Sequence, residues 1–321
     1  MPDLYKVSSA DLRRAAELLR AGRLVAFPTE TVYGLGANAL DEAAVQRIFD
    51  AKGRPLSSPL IVHVSSQAML EPVVAEWPEN ARRLARKFWP GPLTLVLPKQ
   101  PTVPDVATAG LATVGVRMPA HPVALALIHE CGLPLAAPSA NRFTQLSPTT
   151  ADHVRQSLGD RVDMILDGGP CTVGIESTVL SLATTPPTLL RPGGIPRAKI
   201  EDVIGPVQLL AKPSDGPHAS PGLQAKHYSP RTPLFLSRNG EVPEGRGAYL
   251  QVRRNPQSRD VEIVLMPDDP SGYASALYRT LHELDERHFD WIAVEQPPST
   301  PEWEAVLDRL RRAAHVNNSK G

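Results

Sequence analysis

The feature that most constrains the fold is an alternation, over the first 200 residues, of short apolar runs with helical patterns. Residues 9–21 carry apolar side chains at helical spacing, and a second helical segment lies between Asp41 and Gly53, which suit its two caps. Further helices are expected near 79–88, 122–131 and 150–158. The strand-like runs between them are 60–64, 93–97, 113–116, 135–137, 164–166, 178–182 and 188–190. This pattern predicts an α/β domain with a large twisted sheet.

Proline marks where this first domain is expected to end. The chain holds 34 prolines in 321 residues, about twice the usual ~5%, and they are dense from Pro186 to Pro233. The almost apolar-free stretch 212–221 within this region predicts an extended linker. Strands near 233–236, 247–252, 261–266 and 291–295 and helices near 271–288 and 301–313 then predict a smaller α/β unit. We therefore expect a first domain over 1–205, a linker over 206–232 and a second domain over 233–321.

Charge and cysteine content exclude several classes of protein. With 34 basic and 34 acidic side chains the formal charge is zero, which argues against holding nucleic acid or an anionic membrane by bulk electrostatics. Two cysteines are too few for a disulfide scaffold and fit a reducing compartment. The charged N-terminal segment predicts no signal peptide, and no apolar run approaches 18 residues. We expect a cytoplasmic location without membrane association.

Polar and glycine-rich segments follow several of the predicted strands. Residues 28–36 (PTETVYGLG) offer hydroxyls, a carboxylate and glycines that suit a small polar ligand, or they form an ordinary turn. In residues 52–55 (KGRP), Lys52 and Arg54 could serve the helix dipole. Because Pro55 forces an extended exit, the two cations could instead project from a loop and bind phosphate.

Two strands end on basic or titratable side chains. Residues 114–119 (VGVRMP) close an apolar strand on Arg117, which needs an internal carboxylate or a substrate carboxylate as its partner. His63 lies in the apolar run LIVHV, where a lone histidine is more typical of a packed core.

Two further loops present neutral hydrogen-bonding groups. Residues 137–141 (APSAN) offer Ser139 and Asn141, which suit phosphate oxygens or a magnesium-bound water, and residues 147–150 (SPTT) are typical of a helix N-cap and of an anion site. Residues 174–179 (GIESTV), between DGGP and LRPGG, offer hydroxyls, glycines and an arginine. The sequence lacks GxxxxGK[ST], a GxGxxG after a strand and HExxH. No metal site of Cys/His type is predicted.

Together these segments resemble the YrdC/YwlC family of threonylcarbamoyl-AMP synthases, in the longer form with an appended C-terminal domain. The resemblance covers about residues 8–205 densely and also includes PLIVHV (59–64), WPGPLTLVL (89–97) and LRPG (190–193). SPG (220–222) and KHYSP (226–230) resemble the loop that joins the two domains. The implied fold is a twisted mixed sheet with flanking helices, the YrdC-like domain, plus a smaller C-terminal α/β Rossmann-like domain.

The resemblance implies a nucleotidyltransferase of tRNA modification. L-Threonine and bicarbonate or CO2 would give N-carboxy-threonine, whose carboxylate attacks the α-phosphorus of ATP and releases pyrophosphate. A separate transferase would place the threonylcarbamoyl group on tRNA beside the anticodon. ATP is then a substrate, Mg²⁺ would be bound through the nucleotide, and no stable nucleic-acid binding is expected.

The resemblance also assigns site residues. The catalytic residues would be Lys52, Arg54, Ser139 and Asn141. ATP would be bound by these four together with Ser58, Thr113, Ser147, Arg191 and Tyr228, the last as part of a lid on the linker. L-Threonine would be bound by Thr31, His63, Arg117, Ala137 (through its backbone) and Ser177, and no residue would bind a metal directly.

Three alternatives stay open at this point. An RNA-binding module is disfavoured by the neutral charge and the 5% aromatic content. A carbamoyl-transfer maturation factor uses a similar domain but adds zinc-finger segments, and no CxxC pair exists here. A regulatory nucleotide-binding module without turnover is the third.

Overall fold

The structure is a computed structural model that describes residues 7–210, 228–258 and 261–314. The chain forms two compact units. The first contains the described residues up to Phe143 and those from Ser147 to 210, and the second contains Thr144–Leu146 and the described residues from Tyr228 onward. Residues 211–227, the greater part of the predicted linker, lie outside the described residues. The predicted domain limits therefore stay a prediction.

The first unit is a layered α/β structure. Its helices are Ser9–Arg20 (α1), Glu42–Lys52 (α2), Glu79–Phe88 (α3), Asp105–Thr108 (α4), Pro122–Cys131 (α5), Ala151–Leu158 (α6) and Arg197–Ile204 (α7). Its strands are Val25–Phe27 (β1), Gly34–Asn38 (β2), Ile61–His63 (β3), Leu93–Pro98 (β4), Thr113–Arg117 (β5), Leu135–Ala136 (β6), Met164–Ile165 (β7), Thr178–Ser181 (β8), Thr188–Arg191 (β9) and Gln208–Leu209 (β10).

These strands form one mixed sheet in the order β10-β9-β8-β4-β5-β3-β6-β2-β1-β7. The central pairs β3/β5 and β4/β8 are parallel, whereas β4/β5 and β3/β6 are antiparallel. Cis peptide bonds occur at Trp89-Pro90 and Thr185-Pro186. The expected mixed α/β fold is confirmed.

Local signals fixed the ends of several helices. The Asp41 side chain accepts hydrogen bonds from Ala43 N at 3.0 Å and Ala44 N at 3.2 Å, which caps α2 as expected. Gly53 ends that helix in the left-handed conformation at φ 62°. Thr150 caps α6, since its hydroxyl accepts from His153 N at 3.3 Å. These caps matter for function because α2 ends on Lys52.

Two large apolar clusters and one small one pack against the sheet. The largest is contributed by α2, α6, α7 and the inner strands. A second cluster joins α1 and α5 to β1 and β6. The small third cluster consists of Ile61, Val96, Val179 and Leu190 and stands apart from both.

The second unit is a parallel α/β unit, which confirms the smaller C-terminal α/β fold. Its strands are Leu234–Ser237 (β11), Gly247–Gln251 (β12), Glu262–Leu265 (β13) and Trp291–Glu295 (β14), in the order β11-β14-β12-β13 with every pairing parallel. Its helices are Pro270–Asp285 (α8) and Glu304–Ala313 (α9). In the described ranges of both units, no helix has the length and apolarity needed to span a bilayer.

One glycine, Gly193, follows β9 and packs against the segment that leads into β8. A Cβ atom on Gly193 would overlap the backbone of Ser177, Thr178 and Glu176. Backbone atoms cannot rotate away as a side-chain end can, so only glycine fits at this place in the LRPG motif.

Gly193→Ala should therefore lower the free energy of unfolding by about 3 kcal/mol, the upper end of ordinary overpacking. The matched control is Gly53→Ala, because a Cβ at Gly53 meets open space and only the left-handed backbone opposes it. That control should cost about 1 kcal/mol. Urea unfolding measures both values, and equal losses would contradict the packing account.

Candidate active site

Lys52 is buried, although it is the last residue of a helix. Its side chain is 3% exposed, and Nζ donates to the carbonyls of Ser139 and Asn141, each at 2.5 Å. The Phe143 amide returns a hydrogen bond to the Lys52 carbonyl at 2.9 Å. A solvated cation that merely serves the helix dipole would not be held in this way. The structure thus brings three of the predicted phosphate-binding residues together.

Arg54 folds back onto the loop that follows α2. Its Nε donates to the Ser58 carbonyl at 3.3 Å and Nη2 to the Pro59 carbonyl at 3.1 Å. The guanidinium also lies 5.6 Å from the Phe143 ring centroid. Burial, and next the charge of Arg54, hold the pKa of Lys52 well below its ordinary value. Two neighbouring buried basic side chains form a place where phosphate charge is favourable.

Arg117, at the end of β5, is held from three sides. Its Nη2 lies 2.6 Å from Glu30 Oε1 in a buried ion pair, and Nη1 donates to Thr31 Oγ1 at 2.9 Å. Nε donates to the Gly91 carbonyl at 3.2 Å. Of the two partners that the sequence allowed, the internal carboxylate is therefore present, and a hydroxyl of the same PTET segment adds to it.

His63 is the neighbour of Arg117 on the adjacent strand, since the two residues are register partners in β3 and β5. Its side chain is buried, and Nδ1 hydrogen-bonds the Ile61 carbonyl at 3.2 Å. Burial, and next the charge of Arg117, lower the pKa of His63 to about 3. His63 is therefore neutral at physiological pH.

Ser177 connects β4, β8 and β9. Its hydroxyl lies 2.8 Å from Thr94 Oγ1, and its carbonyl accepts from Arg191 Nε at 3.2 Å and Nη2 at 3.0 Å. The neighbouring Glu176 accepts a hydrogen bond from the Ser147 hydroxyl at 2.6 Å. Ser147 is thus held by a carboxylate 29 residues later in the sequence. Thr150 provides the N-cap that the sequence predicted for this segment.

Strand register places the remaining side chains on one face of the sheet. Side chains alternate between faces along a strand, so the pairs Ile61–Gly115 and His63–Arg117 share a face with Thr113. Val96 pairs with Gly115 and Thr94 with Val179, which adds β4 and β8 to the same face. The Ala137 amide bonds to the Ile61 carbonyl at 2.9 Å and brings in the APSAN loop.

This face has an apolar floor and a polar rim. The floor is the small cluster of Ile61, Val96, Val179 and Leu190. Arg117 and Thr113 lie four residues apart on β5, about 13 Å along the strand. An elongated ligand laid on the floor would therefore meet charged groups at one end and the α2 loop at the other.

Three residues of the site were not predicted from the sequence: Glu30, Thr94 and Glu176. The signal for Glu30 and Glu176 was a carboxylate inside a glycine- and hydroxyl-rich loop, where a charge needs a partner. No local pattern marks Thr94 as functional, because threonine is common in strands. Each acts through a partner at least 29 positions away, which local pattern cannot reveal.

Tyr228 belongs to the second unit. Its ring lies 6.0 Å from the Tyr278 ring and 5.1 Å from the Arg309 guanidinium. Ser220, Lys226 and their neighbours in the predicted lid lie outside the described residues. The assignment of Tyr228 to the nucleotide stays a prediction.

Comparison with known proteins agrees with this architecture. A family model described as "Telomere recombination", for Sua5, YciO and YrdC proteins, matches residues 17–193. A second, "Threonylcarbamoyl-AMP synthase, C-terminal domain", matches residues 195–315. The threonylcarbamoyl-AMP synthase of Bacillus subtilis is 43% identical over 97% of this chain and 95% of its own length. That of Pyrococcus abyssi is 44% identical over 96% and 95%.

A solved structure extends the similarity to three dimensions. The P. abyssi Sua5 protein complexed with L-threonine superposes with a TM-score of 0.89 at 41% identity. The match covers 96% of this chain and 95% of that one. The chain belongs to the Sua5/YrdC family of threonylcarbamoyl-AMP synthases, in the long form that carries the C-terminal domain.

Proposed function

We propose that this chain is an L-threonylcarbamoyladenylate synthase, which makes threonylcarbamoyl-AMP and pyrophosphate from L-threonine, bicarbonate and ATP. One observation carries the proposal. One face of the sheet combines the buried Arg117 with an apolar floor, and the buried basic side chains of Lys52 and Arg54 lie at the end of α2 and in the loop that follows it. That combination suits an enzyme that joins an amino acid to a nucleotide.

The reaction needs two bond-forming steps. The neutral amine of threonine adds to CO2, derived from bicarbonate, and loses a proton to give a carbamate. A carbamate oxygen then attacks the α-phosphorus of ATP, and the bond from that phosphorus to the β-phosphate bridging oxygen breaks. Such phosphoryl chemistry depends on positioning and charge stabilisation more than on an acid–base pair.

The nucleotide would be bound around the α2 loop. Arg54 and Arg191 supply fixed positive charge for the triphosphate, and Lys52 adds an ammonium group when phosphate is bound. Neutral hydrogen bonds would come from Ser58, Thr113, Ser139, Asn141 and Ser147. Because Lys52 already bonds to the backbone of Ser139 and Asn141, helix and loop present their groups as one unit. Preorganised donors of this kind stabilise charge that develops in the transition state.

Mg²⁺ would enter with the nucleotide. Within residues 7–210, 228–258 and 261–314, no group of three or more His, Cys, Asp or Glu side chains is arranged to hold a metal ion. The donor set instead suits an ion held mainly by phosphates, with neutral oxygens such as Asn141 Oδ1 nearby. When bound, Mg²⁺ would neutralise charge on the triphosphate.

Threonine would be bound around Arg117. The guanidinium would take the carboxylate, with Thr31 and Ser177 as hydroxyl partners and the Ala137 backbone beside them. His63 is neutral, so it would form a hydrogen bond with the substrate hydroxyl without adding charge. A site that hydrogen-bonds a hydroxyl rejects analogues lacking it more strongly than an apolar pocket rejects a missing methylene.

The product would be consumed by a separate threonylcarbamoyl transferase acting on tRNA. The mixed anhydride is labile in water, which favours a covered site and short residence in solution. A cytoplasmic location fits this role.

The deciding experiment is pyrophosphate release from ATP, with threonine and bicarbonate omitted in turn. We expect release to require both, because the attacking nucleophile is the carbamate formed from them. Release that persists without threonine would contradict the proposal. Salt-dependent tRNA binding without any turnover would favour the RNA-binding alternative instead.

Lys52→Met removes the ammonium and keeps the alkyl stem. ATP affinity should fall about tenfold or more, since a charge-assisted hydrogen bond contributes about 1.5–3 kcal/mol, while threonine affinity changes less. Because burial lowers the pKa of Lys52 in the free protein, phosphates should raise it again. ATP binding should therefore take up protons in the wild type and not in the variant.

Calorimetry in buffers of different ionisation enthalpy measures both effects. Lys87→Met, at an exposed lysine in the last turn of α3, is the matched control and should leave ATP affinity unchanged. Equal losses of ATP and threonine affinity in Lys52→Met would count against the phosphate role.

His63 makes stability depend on pH. Its pKa is about 3 in the folded protein and about 6.5 in an unfolded chain. Between these values the unfolded state binds the extra proton, so the free energy of unfolding falls as pH drops below 6.5. The slope reaches at most about 1.4 kcal/mol per pH unit.

His63→Gln should reduce this slope in denaturant titrations between pH 6.5 and 4.5. The same change at the exposed His129 serves as the control. An unaltered slope in His63→Gln would mean that the buried ring titrates normally.

A further inference from the structure

The buried ion pair of Glu30 and Arg117 has unused hydrogen-bonding capacity. Their side chains are only 8% and 4% exposed, and Oε1 lies 2.6 Å from Nη2. Yet neither atom has a hydrogen-bond partner of good geometry within the described part of the chain. Their charges attract, but the Nη2 hydrogens and the Oε1 lone pairs point elsewhere. Buried polar atoms are nearly always satisfied, so a pair left open in this way indicates a ligand.

The rest of Glu30 is fixed. Its second oxygen, Oε2, accepts from the Ala120 amide at 3.0 Å, and its backbone carbonyl accepts from Val173 N at 2.7 Å. The preceding Thr29 hydroxyl donates to the Val32 carbonyl at 2.6 Å and stiffens the same turn. Oε1 is therefore presented from a rigid support and cannot easily turn away.

Arg117 is fixed in the same manner. Nε and Nη1 are engaged by the Gly91 carbonyl and the Thr31 hydroxyl, at 3.2 and 2.9 Å. Only the Nη2 corner of the guanidinium is left to a ligand. Arg117 Nη2 and Glu30 Oε1 thus lie side by side, and the rest of each side chain is held in place by other hydrogen bonds.

An α-amino acid carries the complementary arrangement, because its carboxylate and amino group are attached to one carbon. We infer that Glu30 binds the α-amino group of the amino-acid substrate through Oε1, while it positions Arg117 for the carboxylate. The inference rests on the proposed function and assigns a residue that recognises the amine. It makes the site selective for α-amino acids over hydroxy acids of the same shape.

Three ligands separate the contributions of the two charges. L-Threonine carries both groups, 3-hydroxybutyrate lacks the amine, and L-threoninol lacks the carboxylate. Glu30→Gln should weaken threonine and threoninol binding about tenfold or more, since each loses a charge-assisted hydrogen bond. Binding of 3-hydroxybutyrate should stay equal or become stronger, because Arg117 loses a competing anion. NMR titration of each ligand measures the affinities.

The outcomes are distinct. A similar loss for all three ligands would overturn the amine contact, because Glu30 would then act only through Arg117 or the fold. Unchanged threonine affinity would also overturn it. A wild-type protein that binds no threonine would instead defeat the proposed function itself.

Two further variants serve as a control and as a substitute for Glu30→Gln. Asp285→Asn changes another buried carboxylate, one that accepts from the Thr232 amide in the second unit, and should leave the ratio of threonine to 3-hydroxybutyrate affinity unchanged. If Glu30→Gln fails to fold, Glu30→Asp keeps the charge on a shorter stem. It should still bind threonine more tightly than 3-hydroxybutyrate. A similar loss of affinity for all three ligands would argue against the contact. ATP affinity reports whether each variant is folded.

Discussion

The buried ion pair between Glu30 and Arg117 is the interaction on which the site depends. Burying two charges is costly unless they meet each other and further hydrogen-bonding groups. Here Glu30 Oε1 faces Arg117 Nη2 at 2.6 Å, and Thr31, Gly91 and Ala120 engage the remaining atoms. The pair ties the turn after β1 to the end of β5. Removal of either partner would leave the other charge buried and unpaired, so this part of the fold and substrate recognition share one cause.

The second constraint is that one sheet face carries both polar and apolar functions. The floor is the apolar cluster of Ile61, Val96, Val179 and Leu190, whereas the rim carries buried charged side chains such as Arg117. Burial keeps His63 neutral and lowers the pKa of Lys52, so the free protein limits positive charge that nothing balances. Anionic substrates then bring the negative charge that balances the basic side chains of the site. Catalysis by positioning and charge stabilisation follows from this arrangement.

Local signals predicted much of the fold because they act within a few residues. Asp41 and Gly53 bounded α2 correctly, since capping depends on adjacent backbone groups. β2 was missed, because Gly34 and Gly36 are poor strand formers. Gly36 is required there because a Cβ would strike the Phe27 ring of the paired strand. Likewise Thr94 joined the site only through strand register, which depends on distant pairing. Roles inferred from family resemblance, such as that of Tyr228, stay predictions.

The central claim is that the amino-acid site is assembled before substrate arrives, around the Glu30–Arg117 pair. Crystal structures of the protein without and with L-threonine test it most directly. We predict that the Arg117 guanidinium keeps its contacts to Glu30, Thr31 and Gly91 in both. The bound carboxylate should lie within hydrogen-bond distance of Nη2, and the amino group within that of Oε1. An arginine that swings away from Glu30 on binding, or threonine bound elsewhere, would contradict the account.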